Sequence, residues 1–410
     1  VATEIEGMVS SDLHIPPGIN YECTSCGKCC GGWAVPLTPE DYDRIVEVDW
    51  AAHHASFHAK TLFRDLNKHE KVDTPYSHKI VSETGVCPFL ADNLCFMHSK
   101  FGSEFKPTIC QLFPYAFSVT PSGVYATVSF VSMGSLYNSG RPLAEQREVL
   151  EKKYSEFKRL YTNYKPDWSK IELTKGQPLT WDEYLSIEKE MLAILDDTTL
   201  TIEKRLLKMS SYLVSQVKAG GSAASATAAA ESAQDADALT KLDRHILVNF
   251  HRMYYPTKTL KRGQADFSIA RLFAQYHLGS DKILVPGEKY KIADLKDYPW
   301  PDDDPEMDSL LYRYIYSFIF GKKFFGAGFG HVSVIAGFHH LLMLYCLIKL
   351  QCKATAKFRG AILPNMLDLA LTVRQTERQV GETKLGGYAA AAFEMLLFSP
   401  GRARRFIANT

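Results

Sequence analysis

Tyr21 to Trp33 reads YECTSCGKCCGGW, and Cys23, Cys26, Cys29 and Cys30 fall within its central eight residues. An ordinary core has no use for four thiols this close, since one or two fill the same volume without the liability to oxidation. Two-residue gaps let a tight loop turn successive sulfurs toward one point, and Gly27, Gly31 and Gly32 let the backbone approach it. The spacing therefore predicts metal binding. Adjacent side chains such as Cys29 and Cys30 tend to point apart, so both need not ligate the same site.

A second block, GVCPFLADNLCFMHSKFGSEFKPTICQLFPYAF, carries Cys87, Cys95 and Cys110. Cys87 and Cys95 bracket an Ala91-Asp92-Asn93 turn, so a short hairpin can bring their sulfurs together. The candidate metal ligands are thus Cys23, Cys26, Cys29, Cys30, Cys87, Cys95 and Cys110. We expect three sulfurs from the first block and the rest of the shell from the second, with His98 as a ligand, a partner of one, or a surface residue. All-thiolate sites suit zinc or an iron–sulfur cluster. Zinc sites generally use two CxxC pairs, whereas CxxCxxC is the run of ferredoxin-like clusters, so a [4Fe–4S] cluster is expected, with zinc or mononuclear iron as alternatives. The match to the ferredoxin run is incomplete, because the next cysteine follows at once as Cys30 and the Cys-Pro comes only at Cys87-Pro88. Clustered thiolates need nearby positive charge, which Lys28, Lys100 and Lys106 can supply.

The chain has 410 residues, enough for two or three domains, and 47 Lys and Arg balance 46 Asp and Glu. Such a neutral field gives no push toward nucleic acid or anionic lipid. Nine cysteines, an odd number packed as CxxCxxCC, argue against a secreted disulfide framework and for reduced thiols in a cytoplasmic protein. VATEIEGMVSSDLHIPPG has neither the basic start nor the apolar core of a signal peptide. The longest apolar run, Val332 to Leu350, contains His339, His340 and Lys349, so a buried helix is expected there and no membrane span.

Local signals divide the chain. Residues 1–20 read as an irregular arm. Thr38, Pro39, Glu40 and Asp41 open a helix reaching about Val48. Tyr115–Thr120 and Val124–Phe130 alternate around Pro121-Ser122-Gly123 as a β-hairpin. Helical periodicity follows over Arg141–Tyr164, over a segment capped by Thr180 and Glu183, and over Ile202–Val217. An Ala/Ser-rich linker covers 219–240. Helices are then expected near 236–255, 306–320, 332–350, 365–380 and 388–398. The fold class is mainly α with a small α+β N-terminal cysteine-cluster module, in segments 1–135 (metal-binding, with the hairpin), 136–218 (helical), 219–240 (linker) and 241–410 (helical).

Other signals read more blandly. His54 and His58 lie one helical turn apart but fit a solvated face, and the GRARR run at 401–405 reads as a frayed basic tail. Gly326-Ala327-Gly328-Phe329-Gly330 lies between aromatic helices and lacks the preceding strand that a nucleotide loop needs. Tyr115, Tyr312, Tyr314 and Tyr316 can line a pocket, although aromatics at helical spacing belong more often to a core. No GxSxG elbow, Walker loop or CxxxCxxC triplet is present.

CxxCGxCC followed by PLTPEDYDRI, then CPFLxxxxC and a closing Cys-x-x-Phe-Pro, resembles the CxxCxxCC family described as iron- or zinc-chelating, over about residues 21–115. All seven family cysteine positions find a match. A longer chain in which this module leads into helices, with MLAILDDTTLTIEKRLLKMSSYL at 191–213, resembles the flagellin lysine-N-methylases, members of which methylate lysine ε-amines and carry an iron–sulfur cluster. The first resemblance implies a metal site at the seven cysteines. The second implies methyl transfer from S-adenosylmethionine to a protein substrate, and identifies no donor pocket here. Three functions stay open: a lysine-N-methylase-like enzyme, an iron–sulfur redox protein with an electron-transfer partner, and a zinc-stabilised interaction scaffold.

Overall fold

A computed structural model describes residues 12–31, 34–53, 62–66, 74–81, 85–217, 237–256, 282–285, 288–382, 387–397 and 399–410. His54, His58, His69 and residues 219–236 of the Ala/Ser-rich stretch lie outside these. The chain divides into two compact units, Val1–Lys165 and Pro166–Thr410.

Unit 1 contains β1 (Leu13–His14), β2 (Val35–Leu37), α1 (Pro39–Val46), α2 (Trp50–His53), β3 (Phe63–Asp65) and β4 (His78–Ile80). It continues with β5 (Leu90–Ala91), β6 (Leu94–Cys95), α3 (Phe96–Phe101), α4 (Thr108–Leu112), β7 (Tyr115–Thr120), β8 (Gly123–Val128), α5 (Met133–Leu136) and α6 (Arg147–Leu160). The expected hairpin is β7–β8, registered from Tyr115 opposite Val128 to Thr120 opposite Gly123. The N-terminal arm is not irregular throughout: β1 joins this sheet parallel to β8, Leu13 facing Val124. Two residues are too few for strand alternation to show in a sequence. What holds them is tertiary, with Leu13 buried against Val124 and Phe117, and the Arg147 guanidinium donating to the Leu13 carbonyl. Leu150, Tyr154 and Phe157 of α6 pack on the same sheet, which is why the helix after residue 140 belongs to unit 1.

A second core gathers β2, β4, β3 and their helices: Val35, Leu37, Ile45, Trp50, Ile80, Phe89 and Met97, with Cys87, Cys95 and Cys110 at its margin. The cysteines therefore sit where a small apolar core ends.

Unit 2 starts with β9 (Glu172–Thr174), β10 (Gln177–Pro178), α7 (Trp181–Leu195), α8 (Ile202–Ser215) and α9 (Lys241–Tyr254). There follow β11 (Lys282–Val285), β12 (Glu288–Lys291), α10 (Ile292–Lys296), α11 (Pro305–Phe320), α12 (Val334–Phe358), α13 (Met366–Glu382), α14 (Gly387–Leu397) and α15 (Pro400–Ala408). Central α12 is long and apolar enough to cross a membrane, and its apolar window lies wholly inside the unit. Each polar interruption has a partner. His339 bonds Ser210 Oγ at 2.8 Å and the Leu397 carbonyl at 2.6 Å, His340 bonds the Tyr254 hydroxyl at 2.6 Å, and Lys349 pairs with Glu203 at 2.6 Å. Burial lowers His339 to about 4 and His340 to about 3, so both are neutral core residues near neutral pH.

The 401–405 run is not frayed. It forms α15, whose Arg402 and Arg405 donate to the fully buried Asp243 at 2.8 and 2.5 Å. That carboxylate already caps α9 through Thr240, and burial without cations would be costly. The two arginines supply them. The glycine-rich stretch at 326–330 forms a tight 3-10 turn, and a Cβ at Gly328 would sit 1.8 Å from the Lys322 carbonyl oxygen. Close backbone packing accounts for the glycine there.

Candidate metal centre

The cysteine loop is laid in place by the chain before and after it. Leu143 N–H donates to the Ile19 carbonyl at 2.9 Å, Tyr21 N–H to the Arg141 carbonyl at 3.1 Å, and the Gln146 amide to the Tyr21 carbonyl at 3.1 Å. Gly134 permits this contact, since a Cβ there would lie 2.2 Å from the Glu22 carbonyl oxygen. From Tyr21 the loop turns through Ser25 and Gly27, at φ of 51° and 67°, into a 3-10 turn at Lys28–Cys30. Gly27 rests on the β5–β6 hairpin, a Cβ there falling 3.1 Å from Leu90 Cδ2 and 3.2 Å from Asn93 Oδ1.

That hairpin is the expected turn between Cys87 and Cys95. Asp92 and Asn93 both adopt left-handed φ, 50° and 62°, the conformation of a two-residue hairpin loop, and Leu90 pairs with Cys95. The two cysteine blocks then join directly: Cys87 N–H donates to the Cys30 carbonyl at 2.9 Å, and Gly31 bridges to Val86. Cys110 arrives on α4. Buried Asp41 places that helix by accepting from Thr108 N–H at 2.9 Å and Thr108 Oγ1 at 3.0 Å. The same carboxylate closes the α1 capping box with Thr38 and holds Arg44 at 2.7 Å. Arg44 in turn donates to the Lys106 carbonyl at 3.2 Å. The Thr38-x-x-Asp41 spacing reveals the capping role, but no sequence signal links Asp41 to Thr108, 67 positions on.

Cys30, Cys87, Cys95 and Cys110 lie within electrostatic reach of one another in all six pairings. Burial, followed by the charge of Cys95, pushes the Cys30 thiol up to about 11. Burial raises Cys87 to about 12, and burial together with the neighbouring thiols raises Cys110 well above its ordinary value. Lys106 is the cation that opposes this at Cys30 and Cys110. The expected role of nearby lysine thus falls to Lys106, while Lys28 acts on Cys26. There burial is opposed by the Thr24 hydroxyl, backbone amides and the Lys28 ammonium, and the thiol drops below its usual range.

Cys29 acts on Cys30 as well. Its sulfur faces the Val131 carbonyl at 4.0 Å and Ser132 Oγ at 3.8 Å, at the head of α5. Cys23 and Cys29 both act on the Tyr21 phenol, which burial pushes up. Cys23 is exposed, the other six of the seven are half-buried, and none is in a disulfide. His98 is exposed on α3.

The donors are soft and mutually repelling when ionised, the chemistry that a thiophilic cation relieves. They come from two distant segments to one margin of a core, and so fit the expected group in kind and in topology. Among the described residues no three Cys, His, Asp or Glu side chains close on one ion-sized point.

Unit 2 offers a separate concavity, a cleft of about 640 Å³ lined by Asp196, Thr199, Thr201, Arg205, Asp308 and Tyr312. The Tyr312 hydroxyl donates to Asp196 at 2.6 Å, and Arg205 is tied to the Leu195 and Leu200 carbonyls. Tyr314 and Tyr316 are core residues, and Tyr115 is a half-buried strand residue of unit 1.

Thiols from two segments, beside Lys28 and Lys106 and without a disulfide among them, have the chemistry of a thiolate metal site. Residues 22–130 match the family model CxxCxxCC, described as "Putative zinc- or iron-chelating domain". The chain is also 26% identical over 175 residues to "Uncharacterized protein MJ0939" of Methanocaldococcus jannaschii, a match covering 40% of this chain and 56% of that protein. No solved structure matches. Neither match names a methyl donor or a methylated substrate.

Proposed function

We propose that this chain is an iron–sulfur protein whose unit 1 holds a [4Fe–4S] cluster on cysteine thiolates. The observation that carries the reading is the direct pairing of the two cysteine blocks, Cys87 N–H to the Cys30 carbonyl, with none of the seven cysteines in a disulfide. Iron is favoured over zinc by the CxxCxxC run at Cys23, Cys26 and Cys29, the spacing of cluster ligands. Anaerobic purification followed by metal and sulfide analysis tests it. Iron and sulfide in equal amounts, with a visible absorption that bleaches on reduction, is the expected result. Zinc without sulfide overturns the cluster and leaves a zinc-stabilised scaffold.

The resemblance to lysine methylases adds a second reading, methyl transfer to a protein lysine, favoured by the unit 2 cleft. Asp196 and Asp308 give it carboxylates suited to a cationic side chain. S-adenosylmethionine at excess should then raise the melting temperature of the intact protein, and an unchanged melting curve counts against it.

A further inference from the structure

We propose that Ser132 is a positioning residue of the metal centre: its buried hydroxyl donates a hydrogen bond to the Cys29 thiolate, holds that sulfur in place and tunes the reduction potential of the cluster. The inference rests on the cluster reading above, with Cys29 as a ligand, and adds to it a group from outside the cysteine set.

Ser132 occupies the N-cap position of α5, with extended backbone at φ −81° and ψ 132°. A serine there ordinarily accepts from a backbone N–H in the first turn of its helix. This one does not. Its backbone is satisfied, Ser132 N–H donating to the Ser129 carbonyl at 3.2 Å and Leu136 N–H to the Ser132 carbonyl at 3.1 Å, but the side chain caps nothing. The residue is 2% exposed, and a hydroxyl so deeply buried needs a partner. Among the described residues that partner is the Cys29 sulfur, 3.8 Å from Ser132 Oγ and 103 positions away in the chain.

Both ends of the contact are fixed by backbone. Ser129 N–H donates to the Pro114 carbonyl at 2.8 Å, which ties the turn before α5 to the residue before β7. Gly134, two residues on, lies against the cysteine loop so closely that a Cβ there would sit 3.0 Å from Tyr21 Cε2. Cys29 is held in the 3-10 turn that Cys30 N–H closes on the Gly27 carbonyl at 3.0 Å.

Of Val131 and Ser132, only Ser132 has a side-chain proton to give. In the metal-free thiol the S–H can donate to Ser132 Oγ or to the Val131 carbonyl at 4.0 Å. As a metal ligand the sulfur has lost its proton and only accepts, so the Ser132 O–H turns to donate to it, a charge-assisted bond. A hydrogen bond to a ligating sulfur draws charge from the cluster and favours the state that carries the extra electron. Ser132 therefore raises the potential above that of the same centre without its hydroxyl.

The test uses the full chain, reconstituted anaerobically with ferrous iron and sulfide, as wild type, Ser132→Ala and Ser132→Thr. Iron and sulfide content, the visible spectrum and the reduction potential are measured on each. Ser132→Ala should load the cluster with a potential shifted to more negative values, and Ser132→Thr, which keeps the hydroxyl, should return it to the wild-type value. A merely structural serine would change loading or unfolding and leave the potential of the loaded fraction where it was. A fully loaded Ser132→Ala at the wild-type potential overturns the inference. If Ser132→Ala fails to load, wild type in D₂O decides: no exchangeable proton coupled to the reduced cluster also overturns it. Wild type that takes up zinc without sulfide, or no metal, overturns the cluster reading itself, a distinguishable result.

Discussion

At the scale of single residues, the candidate metal centre is positioned by a carboxylate from outside the cysteine set. Asp41 is 1% exposed and accepts from Thr108 twice and from Arg44 while capping its own helix. Asp41→Ala leaves a buried Thr108 N–H without its acceptor and frees the start of α4, the helix that carries Cys110. Each orphaned buried donor costs about 1–3 kcal/mol, so a loss of about 3 kcal/mol is expected in denaturant unfolding, with Co²⁺ affinity at least tenfold weaker. Thr180→Ala is the control. It breaks a similar capping box in unit 2, should cost about 1 kcal/mol, and should leave Co²⁺ binding unchanged. Equal metal affinity in the two variants would remove Asp41 from the centre. The contrast marks what a sequence exposes at this scale. Both capping boxes are local patterns four residues long, whereas the Asp41–Thr108 bond exists only because the intervening strands bring α1 and α4 together.

At the scale of elements, periodicity located most of the longer helices to within a few residues, helped at α1, α7, α8 and α9 by a threonine whose side chain accepts from the first turn. Thr240 and Asp243 form the same kind of box, and their deeper role escaped for a different reason: the arginines that neutralise Asp243 lie about 160 residues away. A basic pentapeptide looks solvated until its acid is known. Close helix approach is also invisible to hydropathy. Gly337, one turn into α12, faces the Phe324 carbonyl oxygen, and a Cβ there would sit 1.9 Å from it. A backbone oxygen has no rotamer by which to retreat, so Gly337→Ala should cost about 3 kcal/mol or more in thermal unfolding. Gly381, near the end of α13, has no atom within 4 Å of its would-be Cβ. Gly381→Ala should be neutral or stabilising by up to about 1 kcal/mol, since alanine is the better helix former. Matching signs for the two substitutions would show that α12 and the 324–328 turn do not pack as closely as described.

At the scale of the whole molecule, the cysteine spacing pointed to the two segments whose backbones pair at Cys30 and Cys87. It did not show that the Cys29 sulfur meets Val131 and Ser132, because that contact follows from the turn that carries it and from residues about a hundred positions on. The two units should answer differently to metal removal. Unit 1 has short strands, two small cores and, at Cys87 and Cys110, thiols that burial and mutual proximity hold protonated. A structural thiolate metal contributes on the order of 10 kcal/mol, comparable to the 5–15 kcal/mol net stability of a typical domain. Unit 2 draws its stability from α12, buried over its full apolar window and packed on α8, α13, α14 and α15, with no thiol of the cysteine blocks. Anaerobic treatment of the loaded protein with a strong chelator, followed by amide hydrogen exchange, separates them. Amides in β2, β4, β5 and β6 should lose protection as metal leaves, while those of α12 keep theirs. Exchange in the 85–112 region that is unchanged after the metal has gone would mean that the apolar cores suffice, and that the cysteines serve chemistry alone.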